Sequence, residues 1–364
     1  MKIVQLLPEL NEGGVERGTM ELSRELVKLG HESIVISAGG KLEAQIKKDG
    51  GRHITLDVCS KNPLTAFSRM LQLRKILKEL NPNILHARSR VPAWLTYLAN
   101  KKLHLPFVTT VHGFNSVSPY SAIMTKGDSV ICVSGAIKDY IQKHYQTEET
   151  KITVIPRGID LEKFNPENLD KAFIENFKME YHLEDKRIIT TVGRITQLKD
   201  HQTFIHAIGL LKKHDPKVLG LIVGGVREDK QEYFQSLEML VKKLDLNDNI
   251  IFTGSQNKVA EIYALSDVVV SSSKKPESFG RSVAEALALN TPVIATNHGG
   301  VLDIIAEGEN GFFYPVGESE ELAENIAKCH TLEFDGYAYI EKHFSLEQMV
   351  QKTLDVYGKV QYSV

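Results

Sequence analysis

Short apolar segments alternate with helix-like segments along most of this chain, and that alternation constrains the fold more than any other feature. Strand-like runs occupy residues 2–7, 33–38 and 83–87, for example, with amphipathic helical patterns between and after them. A strand, a crossover helix and a second strand return the chain to the same side of one sheet. The sequence therefore predicts an α/β protein built on doubly wound parallel sheets.

The alternation is interrupted at residues 160–186, which are polar, include the turn Asn165-Pro166 and contain only a short helical segment near 172–179. The chain of 364 residues is long enough for two domains of ordinary size. We predict one domain at residues 1–165, a second at 166–344, and a final helix near 346–360.

The composition is that of a globular protein, with 42% hydrophobic and 25% charged residues. No apolar run approaches a membrane-spanning length, and the N-terminal segment is too soon acidic for a signal peptide. We therefore expect a cytoplasmic location. Cys59, Cys132 and Cys329 are scattered and lack zinc-ligand spacing, so we expect reduced thiols.

The charge is distributed unevenly between the two halves. Residues 1–165 hold 23 Lys and Arg against 16 Asp and Glu, and the remainder holds 21 against 30. A basic half suits an anionic acceptor or an anionic membrane surface, although solvated helix faces explain it equally well. No basic run is interleaved with aromatic residues, so nucleic acid is not an expected partner. The basic candidates for contact with an anionic acceptor or membrane are Arg69, Arg74, Lys75, Lys78, Arg88, Arg90, Lys101 and Lys102.

Residues 276–285 form the most informative single segment. It follows an apolar, strand-like run at 267–273 and leads into an apolar, helix-like run at 283–289. Backbone N–H groups at a helix start favour an anion. We predict that phosphate binds the turn between Phe279 and Ser282, with Glu277 before it and Glu285 after it.

The spacing of the two glutamates limits their chemistry. Eight helical steps would separate the α-carbons of Glu277 and Glu285 by roughly 12 Å, whereas a retaining glycosidase needs its carboxyl groups about 5 Å apart. The pair instead suits the two hydroxyl-bearing ends of a long molecule with phosphates between them, such as a nucleotide sugar. The alternative is a solvated glutamate followed by a helix-surface glutamate.

Glycine pairs follow several predicted strands. Gly13-Gly14 lies where the backbone passes close to something at the carboxyl edge of the first sheet. The surrounding pattern is not G-x-G-x-x-G, so no dinucleotide cofactor is predicted.

Taken together and in order, several motifs resemble the retaining glycosyltransferases of family 4. That resemblance implies the GT-B fold: two Rossmann-like domains facing a central cleft, with an acceptor-side N-terminal domain, a donor domain, and a C-terminal helix at 345–364 crossing back to the first domain. The matching pieces are Gly13-Gly14, Val111-His112-Gly113, Gly193-Arg194 with Lys199-Asp200, Gly254-Ser255, Pro276 through Ala286, and Pro292 through Thr296 with Gly299-Gly300.

The resemblance also implies roles for the charged residues. Arg194 and Lys199 match the basic pair that holds the donor diphosphate and stabilises the leaving phosphate. Glu277 matches the glutamate that holds donor-sugar hydroxyls, and Glu285 the one that holds the ribose. Alone, each cation could equally be an ordinary surface residue.

The remaining matches are mostly loop residues. Phe279, Gly280, Arg281 and Ser282 match the loop whose amides approach sugar and phosphate. Gly254 and Ser255 match the loop beside the base, and Gly14 matches a glycine near the phosphate. His112 matches a residue near the transferred sugar, although a lone histidine there is often only structural.

The chain departs from the family pattern at Arg157, where the family often has asparagine. This arginine could meet an anionic acceptor or pair locally. No Asp-x-Asp motif is present, so we expect neither a metal nor another cofactor, and Arg194 and Lys199 would supply the positive charge.

The implied reaction is transfer of a hexosyl group from a nucleotide-diphosphate sugar, with UDP favoured, to a glycan or glycolipid acceptor with retention. The expected context is lipopolysaccharide or other surface polysaccharide synthesis, with peripheral contact at the inner face of a membrane. A soluble acceptor is the enzymatic alternative. A nucleotide-sugar 2-epimerase and a non-catalytic sugar-nucleotide-binding protein also remain open.

Overall fold

The computed structural model describes residues 1–11 and 13–362, which form two compact units. The N-terminal unit comprises residues 1–158 and the C-terminal stretch from Leu346, and the C-terminal unit comprises residues 159–345. The break after Gly158 precedes the sequence-based boundary at 165, because Ile159 and Phe164 are buried in the core of the C-terminal unit. The Ile159 N–H also donates to the Phe344 carbonyl at 2.8 Å.

The N-terminal unit contains a parallel sheet in the order β3-β2-β1-β4-β5-β6-β7. Its central strands are buried, which explains their continuous apolar runs. Its strands are β1 (Lys2–Leu6), β2 (Glu32–Ser37), β3 (Arg52–Thr55), β4 (Ile84–Ala87), β5 (Phe107–Val111), β6 (Ser129–Cys132) and β7 (Ile152–Val154). Its helices from this part of the chain are α1 (Gly14–Lys28), α2 (Glu43–Lys48), α3 (Pro63–Leu80), α4 (Arg90–Asn100) and α5 (Gly135–Tyr145).

The C-terminal unit contains a second parallel sheet in the order β10-β9-β8-β11-β12-β13. Its strands are β8 (Arg187–Val192), β9 (Val218–Val223), β10 (Ile250–Gly254), β11 (Val268–Ser271), β12 (Val293–Thr296) and β13 (Gly311–Tyr314). Its helices are α6 (Lys171–Glu180), α7 (His201–Lys212), α8 (Gln231–Lys243), α9 (Val259–Ala264), α10 (Arg281–Leu287), α11 (Ser319–Lys328) and α12 (Gly336–Phe344).

The final helix, α13 (Leu346–Gln361), belongs to the N-terminal unit, where it packs against α1 and β5. It buries Val350, Val356 and Tyr357. The Tyr357 hydroxyl lies 2.6 Å from Nδ1 of His86 on β4. A polar contact therefore adds to the apolar packing that fixes this helix on the sheet.

Both sheets reverse their strand order at one point, between β1 and β4 in the first and between β8 and β11 in the second. In open α/β sheets, ligands bind beyond the carboxyl ends of the strands at such a reversal. Each unit thus has one edge position at which a site is expected.

None of the helices in the part of the chain that the structure describes is both long and apolar enough to span a bilayer.

Candidate functional site

The loops after β8, β9 and β10 pack against one another at the carboxyl edge of the C-terminal sheet. The Gly224 N–H donates to the Gly254 carbonyl at 2.9 Å. A Cβ atom on Gly224 would overlap the Gly193 carbonyl, so no larger residue fits without movement of the backbone. The glycines that follow these strands allow three loops to meet at one edge.

Lys199 lies on the loop that follows β8, at the strand-order reversal. The aliphatic part of its side chain packs over Gly193, where a Cβ atom would stand 3.2 Å from Lys199 Cε. The next residue, Asp200, has a left-handed backbone with φ of 45°, after which α7 begins. The Asp200 carboxylate is held by Lys274 at 3.2 Å and by the Thr203 hydroxyl at 2.7 Å. The loop is therefore anchored on both sides of the Lys199 side chain.

Lys199 and Glu277, predicted from separate motifs, form an ion pair with Nζ 2.5 Å from Oε1. The Ser273 hydroxyl donates to the same Glu277 oxygen at 2.6 Å. The Ser272 hydroxyl donates to the Lys199 carbonyl at 2.8 Å. The loops after β8 and β11 are thus joined at the reversal through side chains as well as backbone.

Arg194 is exposed on the loop after β8. Within residues 1–11 and 13–362 its guanidinium forms no hydrogen bond or ion pair. A solvated cation therefore stands a few residues from the Lys199–Glu277 pair and is available to an anion.

The backbone of Glu277 is held by the glycine pair after β12. The Gly300 N–H donates to the Glu277 carbonyl at 2.7 Å, and Gly299 forms an isolated parallel bridge with Glu277. A Cβ atom on Gly299 would stand 2.5 Å from the Glu277 carbonyl oxygen. The close approach requires glycine and explains why this pair accompanies the Glu277 motif.

The turn before α10 brings backbone rather than side chains to the edge. Gly280 has φ of 106° and precedes the first helical residue, Arg281, without a side-chain cap. The Phe279 side chain is 2% exposed and lies in the apolar core. Phe279 can therefore contact a ligand only through its backbone. Ser282, another predicted residue of this turn, is half-buried.

Glu285 has different partners from Glu277. Arg281 Nε donates to Glu285 Oε1 at 2.7 Å, and the Tyr263 hydroxyl lies 3.4 Å from Oε2. Burial, followed by the Glu285 charge, raises the pKa of Tyr263 well above its ordinary value. Lys199 and Ser273 thus contact Glu277, whereas Arg281 and Tyr263 contact Glu285.

Gly254 and Ser255 lie at the same edge and are exposed. Gly254 has φ of 69°. A Cβ atom on Gly225 would stand 2.5 Å from Ser255 Oγ. The predicted base-side loop therefore packs on the loop after β9.

His112 follows β5 in the N-terminal unit. Its two ring nitrogens are buried, although the residue as a whole is half-buried, and neither has a hydrogen-bond partner among the residues described. Burial, followed by the nearby charges of Arg88 and Arg157, holds its pKa well below 6.5. His112 is therefore a neutral imidazole at pH 7.

Gly14 is the first residue of α1. A Cβ atom there would overlap Nη1 of Arg157, so the arginine lies directly against the helix start. The two positions that were singled out separately in the sequence are neighbours in the fold.

The alternative of solvated helix faces is wrong for two of the basic candidates, Arg69 and Arg88, which are each only 6% exposed. Arg69 donates to the carbonyls of Asp57 and Asn62 and so fixes the loop before α3. Arg88 donates to the side-chain oxygen of Gln5 at 3.0 Å. A sequence does not reveal that these cations turn inward.

Two contributors were missed as site residues from the sequence: Ser273 and Tyr263. Arg88 was named only among the basic candidates, although it had a more specific signal, since it directly follows β4 at the strand-order reversal. Ser273 and Tyr263 had none, because their importance comes only from contact with the two glutamates.

Metal-ligand groupings and thiols add nothing to the site. In residues 1–11 and 13–362 no three His, Cys, Asp or Glu side chains are grouped as metal ligands. The three cysteines form no disulfide, and burial raises the pKa of both Cys132 and Cys329 to about 12.

Two protein families match the chain, one in each half. Glycosyltransferase Family 4 matches residues 12–163, and Glycosyl transferases group 1 matches residues 173–342.

Solved structures and sequence relatives that are similar to this chain support the two family matches. A glycosyltransferase from Rickettsia africae ESF-5 is 34% identical, with 99% of this chain and 98% of that one covered and a TM-score of 0.91. N-acetyl-alpha-D-glucosaminyl L-malate synthase from Bacillus anthracis is 27% identical over 87% of this chain and 84% of its own. Anabaena Alr3699/HepE in complex with UDP and glucose is 19% identical, with a TM-score of 0.84 over 99% of this chain and 100% of that one, a likeness of fold. The chain therefore belongs to the group 1, family 4 glycosyltransferases and has the GT-B type of fold, with two Rossmann-like units.

Proposed function

We propose that this glycosyltransferase moves a hexosyl group from a UDP-sugar to an acceptor hydroxyl with retention at the anomeric carbon. The observation that carries the proposal is the Lys199–Glu277 pair at the strand-order reversal of the C-terminal sheet, with the solvated Arg194 beside it. The choice of UDP is supported by the likeness to HepE, which was solved with UDP and glucose.

Arg194 and Lys199 bind the donor diphosphate in this proposal. The charge that develops on the leaving phosphate is stabilised by cations already in position, which lowers the barrier without reorganisation at the moment of reaction. Glu277 keeps Lys199 oriented and accepts hydrogen bonds from hydroxyls of the donor sugar. Because these two cations supply the positive charge, the proposed reaction needs no metal.

Glu285 binds the ribose hydroxyls. Its carboxylate is already held by Arg281 and Tyr263, so its orientation is fixed before the nucleotide arrives. A carboxylate that need not be ordered on binding costs less conformational entropy.

Retention follows from attack on the same face as the leaving group. The leaving phosphate oxygen accepts the proton of the acceptor hydroxyl, the bond from anomeric carbon to phosphate oxygen breaks, and the bond to the acceptor oxygen forms. Neither glutamate is assigned as a nucleophile, since each is engaged by other side chains. The neutral His112 is proposed to hydrogen-bond a sugar hydroxyl.

The proposed acceptor is a glycan or glycolipid, such as a lipopolysaccharide, met at the inner face of a membrane by a cytoplasmic enzyme. The support is one face of α3, where the exposed fractions of Leu64, Phe67 and Leu71 are 89%, 68% and 43%. Lys75 and Lys78 continue the same face and are also exposed. Apolar residues followed by lysines on one helical face suit the surface of an anionic bilayer.

A thermal-shift screen over nucleotide-diphosphate sugars, followed by product analysis, tests the proposal. A ligand that binds only the folded state at a hundredfold excess over its Kd stabilises by about 2.7 kcal/mol. We expect UDP and one UDP-sugar to raise the melting temperature and the glycosylated product to keep the donor's anomeric configuration.

Other outcomes contradict parts of this account. An inverted product contradicts retention, and formation of an epimer from donor alone indicates a nucleotide-sugar 2-epimerase. Donor binding with neither transfer nor hydrolysis indicates a binding protein. Stabilisation by GDP-sugars but not UDP-sugars contradicts the donor assignment.

A further inference from the structure

Two arginines of the N-terminal unit lie along one face of α1. The Arg157 guanidinium occupies the space that a side chain on Gly14 would fill, and a Cβ atom on Gly18 would stand 3.6 Å from Arg88 Nη2. Gly14 and Gly18 are one helical turn apart and share a face. The absence of a side chain at Gly14 lets the Arg157 guanidinium approach the start of a helix of 15 residues, and Arg88 lies at ordinary contact distance from the same face at Gly18.

This location coincides with the strand-order reversal of the N-terminal sheet. The chain leaving β1 leads to Gly13-Gly14, and the chain leaving β4 leads directly to Arg88. His112 follows β5, the neighbour of β4. The cluster therefore occupies the position at which sheets of this kind bind ligands.

Arg88 is positioned by the protein but not fully satisfied by it. Its Nη1 donates to Gln5, while its Nε is buried and has no hydrogen-bond partner in the described part of the chain. Burial lowers the pKa of Arg88 to about 10, with the Arg157 charge acting in the same direction and the Glu21 charge opposing it. Arg88 thus remains cationic at pH 7 beside a second cation.

His112 completes the cluster with a neutral donor and acceptor. Both of its ring nitrogens are buried without a hydrogen-bond partner among the described residues. A buried polar atom without a partner costs free energy that a ligand can recover. Two nearby groups, Arg88 Nε and the imidazole, therefore have unused hydrogen-bonding capacity at the same sheet edge.

We propose that Arg88 and Arg157, with the N-terminal end of α1, bind a phosphate monoester carried by the acceptor. Guanidinium groups bind phosphate oxygens through paired, charge-assisted hydrogen bonds. The dipole of α1 adds positive potential, and the Glu16 carboxylate, which lies over Gly13 at the same helix end, offsets part of it. A phosphate dianion offers two guanidinium groups more oxygen acceptors and more charge than a carboxylate does. This inference rests on the proposed function and narrows its acceptor to a phosphorylated sugar or glycan.

Isothermal titration of inorganic phosphate into the full chain saturated with UDP tests the site, because UDP occupies the donor diphosphate position. We expect phosphate to bind, acetate to bind at least tenfold more weakly, and Arg157→Met to weaken phosphate binding about tenfold or more. Arg52→Met, which removes an exposed cation on the edge strand β3, should leave the phosphate affinity unchanged.

Gly14→Ala gives a second test that changes no charge. The added methyl group displaces the flexible end of Arg157 rather than any backbone atom, and alanine suits a helix start, so the fold should survive. We expect at least a fivefold loss of phosphate affinity. A full affinity in both Gly14→Ala and Arg157→Met would overturn the proposal.

The donor phosphate is the competing source of the same chemistry. If phosphate binds the free chain but not the UDP-saturated chain, phosphate occupies the donor diphosphate position and the acceptor assignment is wrong. If UDP does not bind at all, the proposed function fails on its own. Phosphate titration of Lys199→Ala with and without Arg157→Met then still reports on the arginine site.

Discussion

Glu277 and Glu285 show how two identical side chains acquire different surroundings from their neighbours in the fold. Glu277 is bound by a lysine and a serine at the sheet edge, and Glu285 is nearly buried between an arginine and a tyrosine. The spacing in the sequence was enough to predict that they do not share one reacting bond. Their partners were not predictable, since Lys199 lies 78 residues from Glu277 in the chain.

Replacing each glutamate by glutamine should separate the two proposed roles, which are binding of the donor sugar by Glu277 and binding of the ribose by Glu285. Glu277→Gln is expected to lower kcat about a hundredfold, because a hydrogen-bonded charge near the reacting sugar is lost, while the Kd for UDP changes less than threefold. Glu285→Gln is the matched variant and should instead weaken UDP binding about tenfold. Steady-state kinetics and UDP titration measure both effects, and equal effects of the two variants on UDP affinity would contradict the assignment.

The elements were predicted where a strand or helix is strongly apolar and missed where it is short and polar. The edge strand β3 reads Arg-His-Ile-Thr and is only partly buried, and α2 buries a single residue, Ile46. Such elements are held by their neighbours in the fold rather than by a pattern of their own.

The exposed face of α3 should bind anionic bilayers. Phe67→Asp is expected to weaken binding to phosphatidylglycerol-containing vesicles, and Lys75→Gln and Lys78→Gln should each weaken it about fivefold through the loss of about 1 kcal/mol of electrostatic attraction. Vesicle co-sedimentation at low and high salt measures this. Met239→Asp on α8, at a position 63% exposed, is the control. Binding that is insensitive to all three α3 variants would rule out this surface.

At the scale of the whole molecule, buried histidines should make stability depend on pH. Burial holds the pKa of His86 and His112 in the N-terminal unit well below 6.5 and lowers that of His201 in the C-terminal unit to about 4. Below pH 6.5 the unfolded chain takes up protons that the folded chain does not. Stability is therefore fully present above pH 6.5 and falls as the pH drops toward the folded-state values.

Calorimetry between pH 7.5 and 5 measures this effect, with the unfolding of each unit followed separately because two units need not unfold together. Each histidine contributes a slope of up to about 1.4 kcal/mol per pH unit below 6.5. The N-terminal unit, in which burial also lowers the pKa of His31 and His53, should respond more steeply than the C-terminal unit. Transition temperatures that stay constant over this range would contradict neutral, buried histidines.

The two-unit α/β organisation could be predicted from the sequence because strand-like and helix-like hydrophobic patterns alternate in both halves of the chain. The inward turn of Arg88 and the contact between Gly14 and Arg157 were not, because they depend on which strands become neighbours at the reversal of the first sheet. Chemistry at sheet edges thus depends on topology that composition and spacing only partly specify.

The most direct test of the account is donor turnover by Lys199→Ala beside Lys212→Ala. Both lysines form partly exposed ion pairs in the C-terminal unit, with side-chain exposures of 31% and 35%, so the cost in stability should be small and similar. We predict that Lys199→Ala lowers kcat by about a hundredfold to a thousandfold and that Lys212→Ala leaves it unchanged. Near-normal turnover by a folded Lys199→Ala would contradict the proposal that this lysine stabilises the departing diphosphate.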